Sequence, residues 1–369
     1  MSALTGLANI GNTCYLNSCL QVLSHTTEFN AFLSTAYKKK VNKVPEAILL
    51  LQWDKLRLLL WQAPPHSMVV PNEFVQNMQK IAYIKKRDLF TGHAQNDLQE
   101  FLLFLIDCFH DALKREVDME IRGTELNAVD KVARVCYTMM QRMYQNEYSE
   151  LLQIFYGIHV SEVTSADMND TSDAVSLSLT AEPFSVLSLS LPTTSLGPTT
   201  LGPTSITLES CLEQYCQAEI LEGENAWYND KTKKKERVRR QIKFWSLPNI
   251  LIIDLKRWNH AGQKKNQLVQ TPLTNINLSK FVCGYDSASY VYDLYGVCNH
   301  SGGASGGHYT ASVKNANGKW YNFNDTMVKE LVFPLQTVVT AQAYCMFLRK
   351  RKLWNQKQKQ KQKQKKKKK

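Results

Sequence analysis

Cys14 follows Asn12-Thr13, two residues able to cap a helix, and Tyr15, Leu16, Cys19, Leu20 and Leu23 recur behind it at helical spacing. That pattern predicts a helix starting at about Cys14. A thiol in the first turn meets unsatisfied amides and the positive end of the helix dipole, and both favour thiolate, which prepares a nucleophile. The competing reading is a small buried core residue. Cys19, a turn and a half further on the apolar side, takes that second reading. A cysteine nucleophile needs a base, and the chain has eight histidines. His308 has the most suggestive setting, with Ser301-Gly302-Gly303-Ala304-Ser305-Gly306-Gly307 before it and a β-rich run after it. His300, at the other end of that loop, is its rival. His25, His66, His93, His110, His159 and His260 read as surface or capping residues. An imidazole base wants an orienting partner, and Asn324-Asp325 offers an amide and a carboxylate. A hairpin at 315–318 would lay the 320–325 segment beside the strand carrying His308. A plain turn is the alternative for that pair.

The elements that must hold these groups change character along the chain. Before about residue 152 the pattern is helical. A second helix follows Pro45, with Ile48, Leu49, Leu56, Leu59 and Leu60 in period and Pro64-Pro65 as its stop. A third is predicted from near Gln95, carrying Leu98, Phe101, Leu102, Leu105, Ile106, Phe109 and Leu113, and 128–152 reads as helix for want of a breaker. Short β-rich runs then follow at 184–191, 250–255, 290–297, 309–313 and 344–348, which reads as antiparallel sheet and an α+β fold. The repeated Leu-Gly-Pro-Thr within 192–205 predicts a mobile loop inside the domain.

Composition narrows the class. The formal charge of +12 points at first to nucleic acid, but 13 basic residues and no acidic one lie between Arg349 and Lys369, leaving the preceding 348 residues at −1. With 44% apolar residues that near-neutral body can bury a large core. No apolar run approaches the ~20 residues of a membrane span, and the N-terminus lacks a signal-peptide pattern. Nine scattered cysteines without a Cys-x-x-Cys read as reduced thiols in an intracellular protein, with no zinc ligand set.

Five motifs in order carry a family resemblance. Residues 6–21, GLANIGNTCYLNSCLQ, resemble the cysteine box of the ubiquitin-specific proteases, and GHY at 307–309 with WYNFND at 320–325 resembles their histidine box. QNDLQEFL at 95–102, LKRW at 255–258 and AYCMF at 343–347 are similar to the family's acidic helix motif, Leu-Lys-Arg-Phe strand and closing strand. The resemblance implies a papain-like fold of helical thumb, antiparallel β palm and β fingers. The catalytic domain would be 1–350, with the thumb at about 1–152, fingers and palm at about 153–350, and a disordered Lys/Gln tail at 351–369. It also implies cleavage after the C-terminal glycine of ubiquitin, without a cofactor, by a monomer of the cytoplasm or nucleus. By the same resemblance Cys14 is the nucleophile, His308 the base and then acid, Asn324 the orienting group with Asp325 able to share that role, and Asn9 the oxyanion donor. Asp97 and Glu100, three apart, would meet the arginines of the ubiquitin tail, with Tyr309 and Trp258 lining its passage.

One departure qualifies the resemblance. The places where family members carry two fingertip Cys-x-x-Cys pairs correspond to Ser165-Ala166-Asp167-Met168 and Asn229-Asp230-Lys231-Thr232, which predicts fingers without zinc. The basic run from Lys231 to Arg240 reads as the solvated face of a fingertip hairpin. The tail is open to several uses: a nuclear signal, contact with nucleic acid or anionic membranes, or an extension without a selected role. An inactive ubiquitin-binding scaffold and a protease for a ubiquitin-like modifier are the alternatives to a deubiquitinase.

Overall fold

The computed structural model describes residues 3–166, 176–192, 206–259, 261–303 and 306–352. Asp167 and Met168, residues 193–205 of the Leu-Gly-Pro-Thr loop, and the tail from 353 onward lie outside the described residues. Helices form in the first half where the apolar period runs. Cys14–Ser24 begins at the expected residue, Ala47–Gln62 stops short of Pro64-Pro65, and Ala128–Glu147 fills most of 128–152. Thr27–Leu33 and Asn72–Ile84 are helices the periodicity does not predict, and Leu208–Cys216 sets another among the strands of the second half. The helix expected from near Gln95 begins later, as Leu98–Leu113. Asp97 takes the cap position, its Oδ1 accepting from the backbone N–H groups of Gln99 at 2.8 Å and Glu100 at 3.2 Å. Residues 95–97 are thereby left in a loop.

These helices close over an aromatic core. Trp53 stacks on Phe109 at 6.5 Å, and Phe29 packs against both Phe109 and Phe155. All are fully buried, so truncating one to alanine costs about 3–5 kcal/mol.

Among the described residues the second half builds a large sheet, a smaller one and two short two-stranded pairs. The larger runs in the order Met327–Glu330, Trp320–Asn324, Gly306–Lys314, Val291–Gly303, Ala343–Lys350, Ile250–Lys256, Val186–Ser190, with Ile276–Asn277 paired to the start of Val291–Gly303. Its pairs are antiparallel except the last, where Val186–Ser190 lies parallel to Ile250–Lys256, a departure from the all-antiparallel expectation. The run read as one strand at 184–191 is two. Phe184 ends Ser176–Phe184 in the smaller sheet, with Gly157–Ser165, Val238–Ser246 and Glu219–Leu221, where its ring meets Phe244 at 5.6 Å. Leu187 and Leu189, after Ser185, are buried in the core of the larger sheet. Trp227–Asn229 pairs with Lys234–Glu236 in a hairpin beyond the smaller sheet, so the basic run divides between that hairpin, with Lys231, Lys233, Lys234 and Lys235 exposed, and the strand beginning at Val238.

Cys14–Ser24 is the element that joins the two halves. Every residue of it is buried, against Leu98–Leu113 on one side and the strands Val291–Gly303, Gly306–Lys314 and Trp320–Asn324 on the other. A helix with no solvated face must find partners inside for its polar side chains. Gln21 Nε2 donates to Thr5 O at 2.9 Å and Ser24 Oγ to Gln21 O at 2.8 Å. All nine cysteines are free thiols, and among the described residues no helix is long and apolar enough to cross a membrane.

Candidate active site

The turn at 315–318 closes as the sequence predicts, with Asn315 N–H donating to Lys319 O and Gly318 N–H to Asn315 O, both at 2.9 Å. It sets a register in which Ala311 faces Phe323, so Asn324 lies diagonally across from His308 on the same side of the sheet. The half-buried His308 ring uses that diagonal, Nε2–H donating to Asn324 Oδ1 at 2.7 Å. A proton held on Nε2 leaves Nδ1 as the basic nitrogen.

Cys14 sits at the first position of its helix, 3% exposed. Thr13 occupies the cap position, but its hydroxyl is spent backwards, accepting from Ile10 N–H at 3.1 Å and bonding Asn9 Oδ1 at 3.3 Å. The backbone N–H groups of Tyr309, Tyr15 and Cys14 approach the sulfur and favour thiolate, as the helix terminus predicts. Burial works against them and is the larger effect, with the Asp325 charge adding to it, so the thiol is pushed above its ordinary value. The expectation of a helix-stabilised thiolate is corrected accordingly: desolvation outweighs the helix terminus here.

Asp325 does a different job from the one expected of it. Its Oδ1 accepts from Asn17 Nδ2 at 2.7 Å, its Oδ2 from Asn9 Nδ2 at 3.0 Å, and its backbone O from Leu7 N–H at 2.9 Å. Asn17 is one turn after Cys14, so Asp325 ties the hairpin bearing Asn324 to the Cys14 helix and to Leu7 and Asn9 before it. Gly6 takes part by having no side chain: a Cβ there would lie 2.3 Å from Thr326 O. Asn9 is held at both ends, its Oδ1 accepting from Gly11 N–H at 3.2 Å and Thr13 N–H at 3.1 Å while its amide NH2 points to Asp325.

His300, the rival base, is buried, and its Nδ1 accepts from Lys264 Nζ at 2.8 Å. Burial and the Lys264 charge lower its pKa to about 4, leaving a neutral imidazole. Around it pack Tyr309 at 4.6 Å, Tyr344 at 5.7 Å and Trp258 at 6.0 Å, so both aromatics expected to line the passage belong to one cluster around His300. Asp97 and Glu100 do not act as a matched pair on one helical face. Besides capping its helix, Asp97 accepts from the Tyr344 hydroxyl through Oδ2, whereas Glu100 is exposed.

At the fingertip, Asn229 Nδ2 donates to Glu236 Oε2 at 2.9 Å and Thr232 Oγ1 donates to Glu236 Oε1. The two places where family members carry one pair of thiolates are thus turned onto a carboxylate, with Lys231 and Lys233 beside them. Neither an amide and a hydroxyl already engaged nor the neighbouring ammonium groups fit a zinc ion.

Several residues of this site escape sequence reasoning. Asn17 had one signal, an amide inside an otherwise apolar helix. Asn96 and Tyr344 had none, since their partners, Tyr15 and Asp97, come from distant segments, and Thr13 reads as a cap whereas its hydroxyl bonds back to Ile10 and Asn9. Gln95 stood in a quoted motif without a role.

A family model described as ubiquitin carboxyl-terminal hydrolase matches residues 5–348. Ubiquitin carboxyl-terminal hydrolase Usp2 of Drosophila melanogaster is 31% identical over 351 residues, 94% of this chain and 35% of its own length. Ubiquitin carboxyl-terminal hydrolase 2 of Homo sapiens is 30% identical over 355 residues, 93% of this chain and 54% of its own, and the Gallus gallus protein of that name is 32% identical over 358 residues, 94% and 93%. The chain therefore spans 35% and 54% of the length of the first two of these relatives. Among solved structures, the SAGA Ubp8/Sgf11/Sus1/Sgf73 DUB module bound to ubiquitin aldehyde superposes with a TM-score of 0.68 at 22% identity, covering 95% of this chain and 70% of that one. This likeness shows the papain-like, mixed helix and sheet fold that the motifs imply.

Proposed function

The chain belongs to the ubiquitin carboxyl-terminal hydrolase family, and from that premise we propose that it is a thiol-dependent deubiquitinase, cleaving the peptide or isopeptide bond after the C-terminal glycine of ubiquitin. The observation that carries the reading is the His308 Nε2 to Asn324 Oδ1 bond, which leaves a basic Nδ1 on the strand whose next residue, Tyr309, brings its backbone N–H to the Cys14 sulfur. Since burial holds Cys14 as a thiol, proton transfer to His308 Nδ1 accompanies attack on the glycine carbonyl. The tetrahedral oxyanion is met by the Cys14 N–H and the Asn9 amide, whose NH2 is aimed by Asp325. His308 then gives its proton to the departing amine, leaving a thioester. Water attacks that thioester with His308 again as base, releasing the ubiquitin carboxylate and restoring the thiol.

Recognition of the Arg-rich tail falls first to Glu100, since the Asp97 carboxylate is engaged by its helix and Tyr344. The catalytic unit is 1–350, acting as a monomer in the cytoplasm or nucleus, where its free thiols stay reduced. Hydrolysis of a fluorogenic amide of ubiquitin tests this reading. Wild type should turn over, and Cys14→Ala and His308→Ala should not. Ubiquitin binding without turnover by wild type would instead make the chain a scaffold.

A further inference from the structure

We propose that Gln95 is a positioning residue that sets His308 against Cys14 from the opposite side of the cleft. Its side-chain amide makes a reciprocal pair with the backbone of Gly307, Nε2 donating to Gly307 O at 3.1 Å and Oε1 accepting from Gly307 N–H at 3.0 Å. Gly307 directly precedes His308. Its strand is paired to Trp320–Asn324 only from Ala311 to Lys314, so the backbone next to the base has an open edge on that side. Gln95 closes the edge much as a neighbouring strand would. On its other face Gly307 is packed against His300, where a Cβ would lie 2.1 Å from Nε2. The peptide before the base is thus held from two directions.

The neighbours of Gln95 show why it can act as a reference point. Asn96 Nδ2 donates to Tyr15 Oη at 3.2 Å, in the first turn of the Cys14 helix. Asp97 caps Leu98–Leu113 and accepts from Tyr344 on the strand Ala343–Lys350. Three consecutive side chains therefore reach the nucleophile helix, the base strand and the closing strand from the loop that leads into Leu98–Leu113. The distance between sulfur and imidazole is set by this loop as much as by the sheet.

The proposal rests on the reading of Cys14 and His308 as nucleophile and base. Its test is steady-state hydrolysis of a fluorogenic ubiquitin amide by full-length Gln95→Ala and Gln95→Glu. A misplaced base lowers kcat by about 10- to 100-fold with little change in KM. Gln95→Glu, which keeps an acceptor for Gly307 N–H but loses the donor to Gly307 O, should fall between. Thermal stability should stay within about 2 °C of wild type, because the pair is exposed. A raised KM at unchanged kcat would make Gln95 a substrate contact, an increase in kcat/KM would make the clasp a barrier to entry, and unchanged kinetics would leave it idle; each overturns the proposal. Alkylation of Cys14 by iodoacetamide, followed on the Cys14 peptide, gives a readout that needs no ubiquitin. If wild type fails on the ubiquitin substrate, the assigned function falls, whereas loss of the His308-dependent rate near neutral pH in Gln95→Ala still supports the positioning role. An unaltered pH profile in that variant contradicts it.

Discussion

Replacing Asn324 and Asp325 one at a time separates two roles that adjacent polar residues would otherwise share. Asn324→Ala removes the acceptor 2.7 Å from His308 Nε2. In the reaction His308 carries a second proton, so the lost bond is one to a charged donor, worth about 1.5–3 kcal/mol. Both partners are only half-buried, which favours the lower part of that range and a fall in kcat of about 10- to 30-fold. Asn324→Asp places a carboxylate against the same nitrogen and favours imidazolium, so the base is protonated up to a higher pH. The acid limb of kcat/KM should then move upward. Asp325→Ala touches Asn9 and Asn17 and not the imidazole. It should lower kcat by loosening the oxyanion amide while bringing the Cys14 thiol down, since the Asp325 charge is one of the causes that raise it. The acid limb set by His308 should stay in place. The assay is a pH series with the fluorogenic ubiquitin amide. An acid limb that shifts in the Asp325 variant and not in the Asn324 variants would refute this division of labour.

Asp254 is buried near Asp97, and burial first, then that charge, raises its pKa to about 7. Its stability penalty is absent below the unfolded value, where the acid is protonated in both states, and grows to its full size as pH rises through 7. Asp254→Asn should therefore raise Tm more at about pH 8 than at about pH 5, and an equal gain at both would remove the charge argument. At the fingertip, Glu236→Ala should speed amide hydrogen exchange across Trp227–Asn229 and Lys234–Glu236, and added zinc should not shift the Tm of wild type; one bound zinc per chain would overturn the carboxylate account. Removing residues 355–369 should leave hydrolysis of the fluorogenic substrate unchanged, and a large loss would show that the basic tail belongs to the catalytic unit.

How far the site was legible follows from where each bond is made. The Cys14 helix, the 315–318 hairpin and the alternation behind His308 depend on neighbours in sequence, so period and turn chemistry reveal them. The division of 184–191 between two sheets depends on Phe184 meeting Phe244, sixty residues away, which no local pattern encodes. Asp325 is the sharper case. Its type and position suggested an orienting carboxylate, yet its positive φ of 49° turns it towards Asn9 and Asn17. The raised Cys14 thiol has a similar cause. A helix terminus can be read from the sequence, but the depth to which the helix is buried depends on the packing of both halves of the chain.

The proposed chemistry begins with Cys14 attacking the carbonyl carbon of the C-terminal glycine of ubiquitin, with His308 as its base. Incubating the full chain with ubiquitin bearing a C-terminal electrophile, and measuring intact mass followed by peptide mapping, tests it directly. One ubiquitin per chain, bonded to Cys14 and lost in Cys14→Ala, is the predicted result. Labelling of another of the nine cysteines, or tight ubiquitin binding with no covalent product, would contradict it.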